Sequence, residues 1–291
     1  MSSLTFQSTL RLSSGNQIPR LGFGAAFNFG KAEDVAAVSK PSLLEALRVG
    51  YRHIDTAQMY NNEIYVGQAV REFGLKREDV FITSKVPSTS QDGLAAVDAS
   101  LKDLGLDYID LYLIHSPPRG KDARLKLWRE ILAAKKAGKI RSAGVSNFNE
   151  RQLEEIKSAG LELPSVNQVE LHPLCKQRPI VNYCNANSIA IEAYCPIIRG
   201  RLDNQQLDPK FASLHKLVDS LAKKYERDYA QILLRWSLQK GFIPLVRSSN
   251  PARIASNAQI YDFDLTDEEV DALDALDDEN GHISWNPVNV E

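Results

Sequence analysis

Four ionisable residues stand at or just after the ends of short apolar runs in the first part of the chain. Asp55 closes Tyr51–Asp55, Tyr60 follows five residues later, Lys85 closes Val80–Lys85 and His115 closes Ile109–His115. A phenol is a poor proton donor near neutrality because its free pKa is about 10, and a neighbouring ammonium lowers it by favouring phenolate. Lys85 is the candidate for that charge. Asp55 offsets the cost of holding an ammonium in a partly desolvated site, and the His115 imidazole beside the phenol can orient a carbonyl oxygen. Together they suit protonation of an oxygen that gains negative charge, as hydride delivery to a carbonyl requires, so a hydride-donating cofactor is expected. The set has no Ser or Cys nucleophile beside a base, and with one imidazole it is a poor metal site, so no metal is expected. Taken singly, each residue is more often a capping or packing residue. Their convergence is what carries weight. His172, in Leu171-His172-Pro173, is read as a structural histidine.

Convergence needs a scaffold. Eight short β-branched or apolar runs alternate with amphipathic stretches: Leu21–Gly24, Tyr51–Asp55, Val80–Lys85, Ile109–His115, Ile140–Ser146, Ser165–Glu170, Ala190–Cys195 and Phe242–Val246. Helical patterns fall at Pro41–Val49, Glu63–Phe73, Leu94–Leu104, Leu125–Ala137, Glu150–Ala159, Ile180–Ala186, Leu214–Gln239 and Pro251–Ala258. Leu125, Trp128, Ile131 and Leu132 recur at the spacing of one buried helix face, with Arg124, Lys126, Arg129 and Lys135 turned outward. Eight strand–helix pairs without a Gly/Ser/Pro-rich linker predict one α/β domain over residues 1–291, a closed (β/α)8 barrel, rather than a doubly wound sheet with a second domain. Residues 4–20, with Ser13-Ser14-Gly15-Asn16 as turn, read as a hairpin, and residues 266–291 as a helix capped by Thr266 and a short tail. In such barrels the chemistry gathers at the carboxyl ends of the strands, where all four residues fall.

The remaining composition narrows the partner. With 35 Lys+Arg against 37 Asp+Glu, the chain lacks the basic excess that a nucleic-acid backbone or an anionic membrane rewards, so a small molecule is expected. Cys175, Cys184 and Cys195 are odd in number and form no CxxC pair, which disfavours a disulfide framework and a zinc knuckle. With no leader pattern at Met1 and no apolar run long enough for a membrane span, the expected location is the cytoplasm.

These residues carry a resemblance to the aldo-keto reductases over essentially the full length. Gly50-Tyr51-Arg52-His53-Ile54-Asp55-Thr56-Ala57, then Tyr60 and Asn62-Glu63, is similar to the family's first signature, and Lys85 and His115 fall where its catalytic lysine and histidine belong. The resemblance implies a (β/α)8 barrel closed at the bottom by a hairpin, and NADPH-dependent reduction of aldehydes or ketones by a monomer of the fungal carbonyl reductase type. It also implies cofactor residues. Ser146, Asn147 and Gln168 match those that bond the nicotinamide carboxamide, and Tyr194 matches the ring stacked on it. Arg247, Ser248 and Arg253 match the segment that holds the 2′-phosphate of NADP, with Asn257 near the adenine. A serine, a helix start and two arginines also make a phosphate site on physical grounds, and no GxGxxG follows a strand. Arg247 stands where the family usually has Lys. Ser116-Pro117-Pro118 and Gly22-Phe23-Gly24-Ala25-Ala26-Phe27 lack the bulky residues often found there, so Phe27, Ser116 and Trp285 are expected to line a wide substrate pocket. Two other readings stay open: a lyase forming a Schiff base at Lys85, separable by borohydride trapping, and a non-catalytic NADPH-binding scaffold or channel accessory subunit, separable by binding without turnover.

Overall fold

Eight apolar runs close into a parallel barrel because each is followed by an amphipathic segment long enough to cross back over the outside. The computed structural model describes residues 4–27, 32–203, 208–277 and 281–291. The barrel strands are β3 (Gly22–Gly24), β4 (His53–Asp55), β5 (Phe81–Val86), β6 (Ile109–Ile114), β7 (Ile140–Ser146), β8 (Val166–Glu170), β9 (Ala190–Tyr194) and β10 (Ile243–Val246). They pair in sequence order, and β10 pairs with β3 to close the ring. Ahead of them β1 (Thr9–Arg11) and β2 (Gln17–Pro19) pair antiparallel, with Leu10 opposite Ile18. Ile18 and Leu12 pack against Phe81, Leu111, Leu113, Val166 and Ile243, so the hairpin plugs the lower barrel.

The helices are α1 (Ala32–Val49), α2 (Glu63–Phe73), α3 (Gly93–Leu104), α4 (Lys121–Lys136), α5 (Glu150–Ser158), α6 (Arg178–Ala186), α7 (Ala212–Tyr225), α8 (Tyr229–Gln239), α9 (Pro251–Ser256) and α10 (Asp267–Asp274). Their inner faces bury Leu43, Val97, Trp128, Ile131, Leu214 and Trp236 against the outer face of the sheet. At about 25 cal/mol per Å² of apolar surface, this shell is the main favourable term holding the barrel together.

Three boundaries differ from expectation. The Leu214–Gln239 stretch is two helices: Glu226 takes the left-handed conformation (φ 53°) at the end of α7, and Asp228 caps α8 in a reciprocal box with Gln231. The first helix begins at Ala32 and runs through Pro41. Val35, Ser39, Ser42 and Ala46 bury one continuous face, which outweighs the missing proline donor, and Ser42 Oγ donates to the Val38 carbonyl (2.7 Å). The first strand of the 4–20 hairpin begins only at Thr9, because Thr5 and Ser8 close a turn ahead of it. Thr266 caps α10 as expected, in a reciprocal box with Glu269, and residues 278–280 of the tail lie outside the described residues. No helix among the described residues is long and apolar enough to cross a membrane.

Candidate active site

Barrel strands alternate inward and outward side chains, so residues two apart share the interior. Asp55 ends β4 and Lys85 lies one residue before the end of β5, both facing inward, and Lys85 is completely buried. Its Nζ donates to Asp55 Oδ1 (2.6 Å) and to the Thr56 carbonyl (2.8 Å). Tyr60 sits on a 3-10 turn, Gln58–Tyr60, stopped by Asn61 in the left-handed region (φ 53°). That turn is anchored on both sides. Gln58 Nε2 donates to the Ala96 carbonyl, and Thr56 Oγ1 donates to Asn62, whose amide donates to the Ala25 carbonyl. The result places the Tyr60 ring 5.0 Å from Lys85 Nζ, and its hydroxyl 3.4 Å from His115 Nε2.

The electrostatics correct one expectation. Burial pushes the Tyr60 phenol up; Lys85 pulls it down, but Asp55 adds to the upward push and the net direction is up, not down. The hydroxyl therefore keeps its proton throughout the neutral range, as an acid must. Burial opposes charge on Lys85, yet the Asp55 carboxylate and the Tyr60 oxygen outweigh it and hold the ammonium above its ordinary range. Burial, reinforced by Lys85, brings His115 down to about 3, so its ring is neutral.

The residues matched to the carboxamide form one connected group. Ser146 Oγ donates to the Gln168 carbonyl, and Asn147 donates to Ser146 Oγ and the His115 carbonyl while accepting from the Tyr194 hydroxyl (2.9 Å). Asn147 holds a left-handed backbone (φ 63°), which asparagine tolerates better than most residues. Gln168 Nε2 faces Asp55 Oδ2 (2.8 Å) and Glu192 Oε2 (2.7 Å), so the NH2 end points into the barrel and Oε1 is left for a donor above it.

Above this layer opens a cavity of about 960 Å³. Tyr60, His115, Tyr194, Arg247, Ser248 and Arg253 all line it, as do the expected pocket residues Phe27, Ser116 and Trp285. Arg247 Nη1 is also a strut, donating to the Ala26 and Phe27 carbonyls. Ser248 Oγ accepts from the Asn250 amide, and Asn250 caps the short α9. Asn257 is buried one turn beyond Arg253, at the far end of α9, and does not line the cavity.

Several residues of this region were not singled out from sequence. Arg199 lines the cavity and donates to Ser284 Oγ, and the wall turns through Cys195, Ile198 and Arg199, all with left-handed φ. For a β-branched residue such as Ile198 that conformation is strained, and strain of this kind gathers at working sites. Glu170 accepts from the Ile283 and Ser284 amides and from His172, fastening the tail that carries Trp285. His172 is buried beneath this tail and paired with Glu170 (3.0 Å). Glu192 and His53 lie one layer below the ion pair; the period of two from Tyr194 and Asp55 was the available signal.

The profile of the Aldo/keto reductase family matches residues 20–278. An uncharacterized oxidoreductase of Schizosaccharomyces pombe is 39% identical over 288 residues, covering 96% of this chain and 97% of the relative. The glyoxal reductase of Bacillus subtilis is 40% identical over 276 residues, 94% of each chain. Among solved structures, an aldo-keto reductase of Bombyx mori in complex with NADP superposes with a TM-score of 0.84 at 33% identity, over 98% of this chain and 100% of that one.

Proposed function

The chain belongs to the aldo/keto reductase family, and from that premise we propose that it reduces aldehydes or ketones to alcohols with NADPH, using Tyr60 as the proton donor. One observation carries the reading: a half-buried phenol, a neutral imidazole and an arginine–serine patch open into a single cavity above a buried Lys–Asp pair. The bound dinucleotide would supply the hydride. Ser146, Asn147 and the Oε1 of Gln168 would hold its carboxamide, and Tyr194 would stack on the ring. Arg247, Ser248 and Arg253 would hold a phosphate, with Asn257 behind them toward the adenine. The fit rests on two observations: Gln168 has its NH2 end committed below, and three guanidiniums, of Arg199, Arg247 and Arg253, face the cavity, whose one carboxylate among the described lining residues, Asp55, is paired with Lys85.

His115 orients the carbonyl oxygen with one neutral ring N–H while the Tyr60 hydroxyl transfers its proton to that oxygen. Lys85 stabilises the phenolate left behind, and Asp55 keeps Lys85 charged and in place. Phe27, Ser116 and Trp285 shape the substrate end. The glyoxal reductase among the relatives makes small α-dicarbonyls a sensible first class of substrate. A Schiff base at Lys85 is disfavoured because its amine is fully buried, doubly bonded and held in the charged form.

The test is NADPH oxidation over aldehydes, α-keto esters, diketones, sugars and steroids, run in parallel with NADH. The proposal expects turnover with at least one class and a clear preference for NADPH. NADPH binding without any turnover would favour the scaffold reading. Equal efficiency with NADH would remove the 2′-phosphate assignment.

A further inference from the structure

The mechanism leaves one buried acid unused. Glu192, at the middle of β9, is wholly inaccessible to solvent. Its Oε2 shares the Gln168 amide nitrogen with Asp55 Oδ2, and its Oε1 lies 3.4 Å from His53 Nε2 without a hydrogen-bond partner. The charged or titratable groups around it are His53 and Asp55 from β4 and Lys85 from β5; β8 presents the neutral Gln168, and β10 is apolar. Two carboxylates therefore face one ammonium and one imidazole.

With Asp55 bonded to Lys85 at 2.6 Å and that pair therefore ionised, two assignments balance the charge. One puts charges on all four groups, each costing several kcal/mol to desolvate. The other leaves a Lys85–Asp55 ion pair beside a neutral acid and a neutral ring. The Glu192–His53 separation is longer than a charge-assisted bond of about 2.7–2.9 Å, and His53 Nε2 pairs instead with Thr83 Oγ1 (3.0 Å), which selects the neutral pair. Burial acts on both groups in the same sense, bringing His53 down to about 3 and Glu192 up to about 8, with Asp55 adding to the rise. Gly22 leaves room for the His53 ring inside the barrel, since a Cβ there would stand 2.7 Å from His53 Nδ1.

We propose that Glu192 is a positioning residue that stays protonated at neutral pH, leaving Lys85–Asp55 as the ion pair beneath Tyr60 among the described residues, and that loss of this proton sets the alkaline limit of carbonyl reduction. When Glu192 releases its proton to solvent, a second anion competes for Lys85 through the shared Gln168 amide. The cationic field on Tyr60 is then partly cancelled, and the phenol becomes a weaker acid. This inference rests on the reading of Tyr60 as proton donor.

The experiment is the pH profile of kcat/KM for NADPH-dependent reduction in the wild type and Glu192→Gln, with Glu192→Ala as a second variant should the first fail to fold. With a midpoint of about 8, about nine-tenths of Glu192 is ionised at pH 9, so wild-type kcat/KM there should fall several-fold and by at most about tenfold from its value at pH 6.5. In either variant the ratio should stay within about twofold of one, because no acid remains to titrate. A wild type with no falling limb between pH 7 and 9, or a variant with the same limb, overturns the proposal. Failure of the Tyr60 assignment looks different: Tyr60→Phe would then keep its activity at every pH.

Discussion

Replacing Lys85 by Met tests the centre of the structure, because the two side chains are similar in volume and only the charge and its hydrogen bonds are lost. Lys85 is completely buried and Asp55 nearly so, at 2.6 Å. Removing one partner of such a pair strands the other, at a cost of about 3–5 kcal/mol. An unfolding entropy of about 2.1 cal/mol/K per residue over 291 residues gives about 0.6 kcal/mol/K, so Tm should fall by about 5–8 °C. The double variant Asp55→Asn/Lys85→Met removes both charges and should recover much of that loss, giving a coupling of about 2 kcal/mol or more. Differential scanning calorimetry on the two single variants and the double closes the cycle, and steady-state kinetics should show Lys85→Met far below wild type in kcat. A Tm change under about 2 °C, additive single effects or a retained kcat would each refute the reasoning.

Other consequences are readable separately. Arg253→Ala should raise KM for NADPH about 10- to 100-fold, the value of one charge-assisted hydrogen bond, while leaving KM for NADH nearly unchanged; a parallel rise for both cofactors would place Arg253 elsewhere. His53 and His115 stay neutral down to about pH 3 in the folded chain, whereas an unfolded imidazole takes up its proton near 6.5. The unfolded state therefore binds more protons between those limits, and stability should fall as pH falls from about 6.5 toward 3, by up to about 1.4 kcal/mol per pH unit for each ring. His53→Gln should flatten that acid limb in Tm against pH; an unchanged slope would mean the ring is charged when folded. Trp285, 70% exposed on the tail, should matter to substrate only: Trp285→Ala should raise KM for bulky aromatic carbonyls several-fold and spare small aldehydes.

The barrel was legible in the sequence because each strand is a short apolar run ended by a turn, and because helices such as α4 show one buried face, although Arg124, expected to turn outward, is buried against Glu155 and the Pro118 carbonyl. The ion pair and Tyr60 were legible because strand ends converge by construction in a closed barrel. The left-handed break at Glu226 left no Gly or Pro to mark it, and Pro41 pointed to a helix start that buried contacts override. The direction of the Tyr60 shift was misjudged because charge proximity can be read from spacing, whereas the extent of burial cannot. Glu192, His53 and Glu170 were reachable by stepping two residues from Tyr194, Asp55 and Gln168. Their pairing across strands depends on barrel register and on the returning tail, neither of which a linear pattern contains.

The central claim is hydride delivery to a carbonyl with Tyr60 as the acid. The most direct measurement is turnover of a reactive aldehyde with NADPH deuterated at C4, comparing wild type with Tyr60→Phe and following deuterium at the carbinol carbon. Wild type should place the label there, and Tyr60→Phe should bind NADPH equally well while losing about 10²–10⁴-fold in kcat. Label transfer at near wild-type rate in Tyr60→Phe would contradict the account.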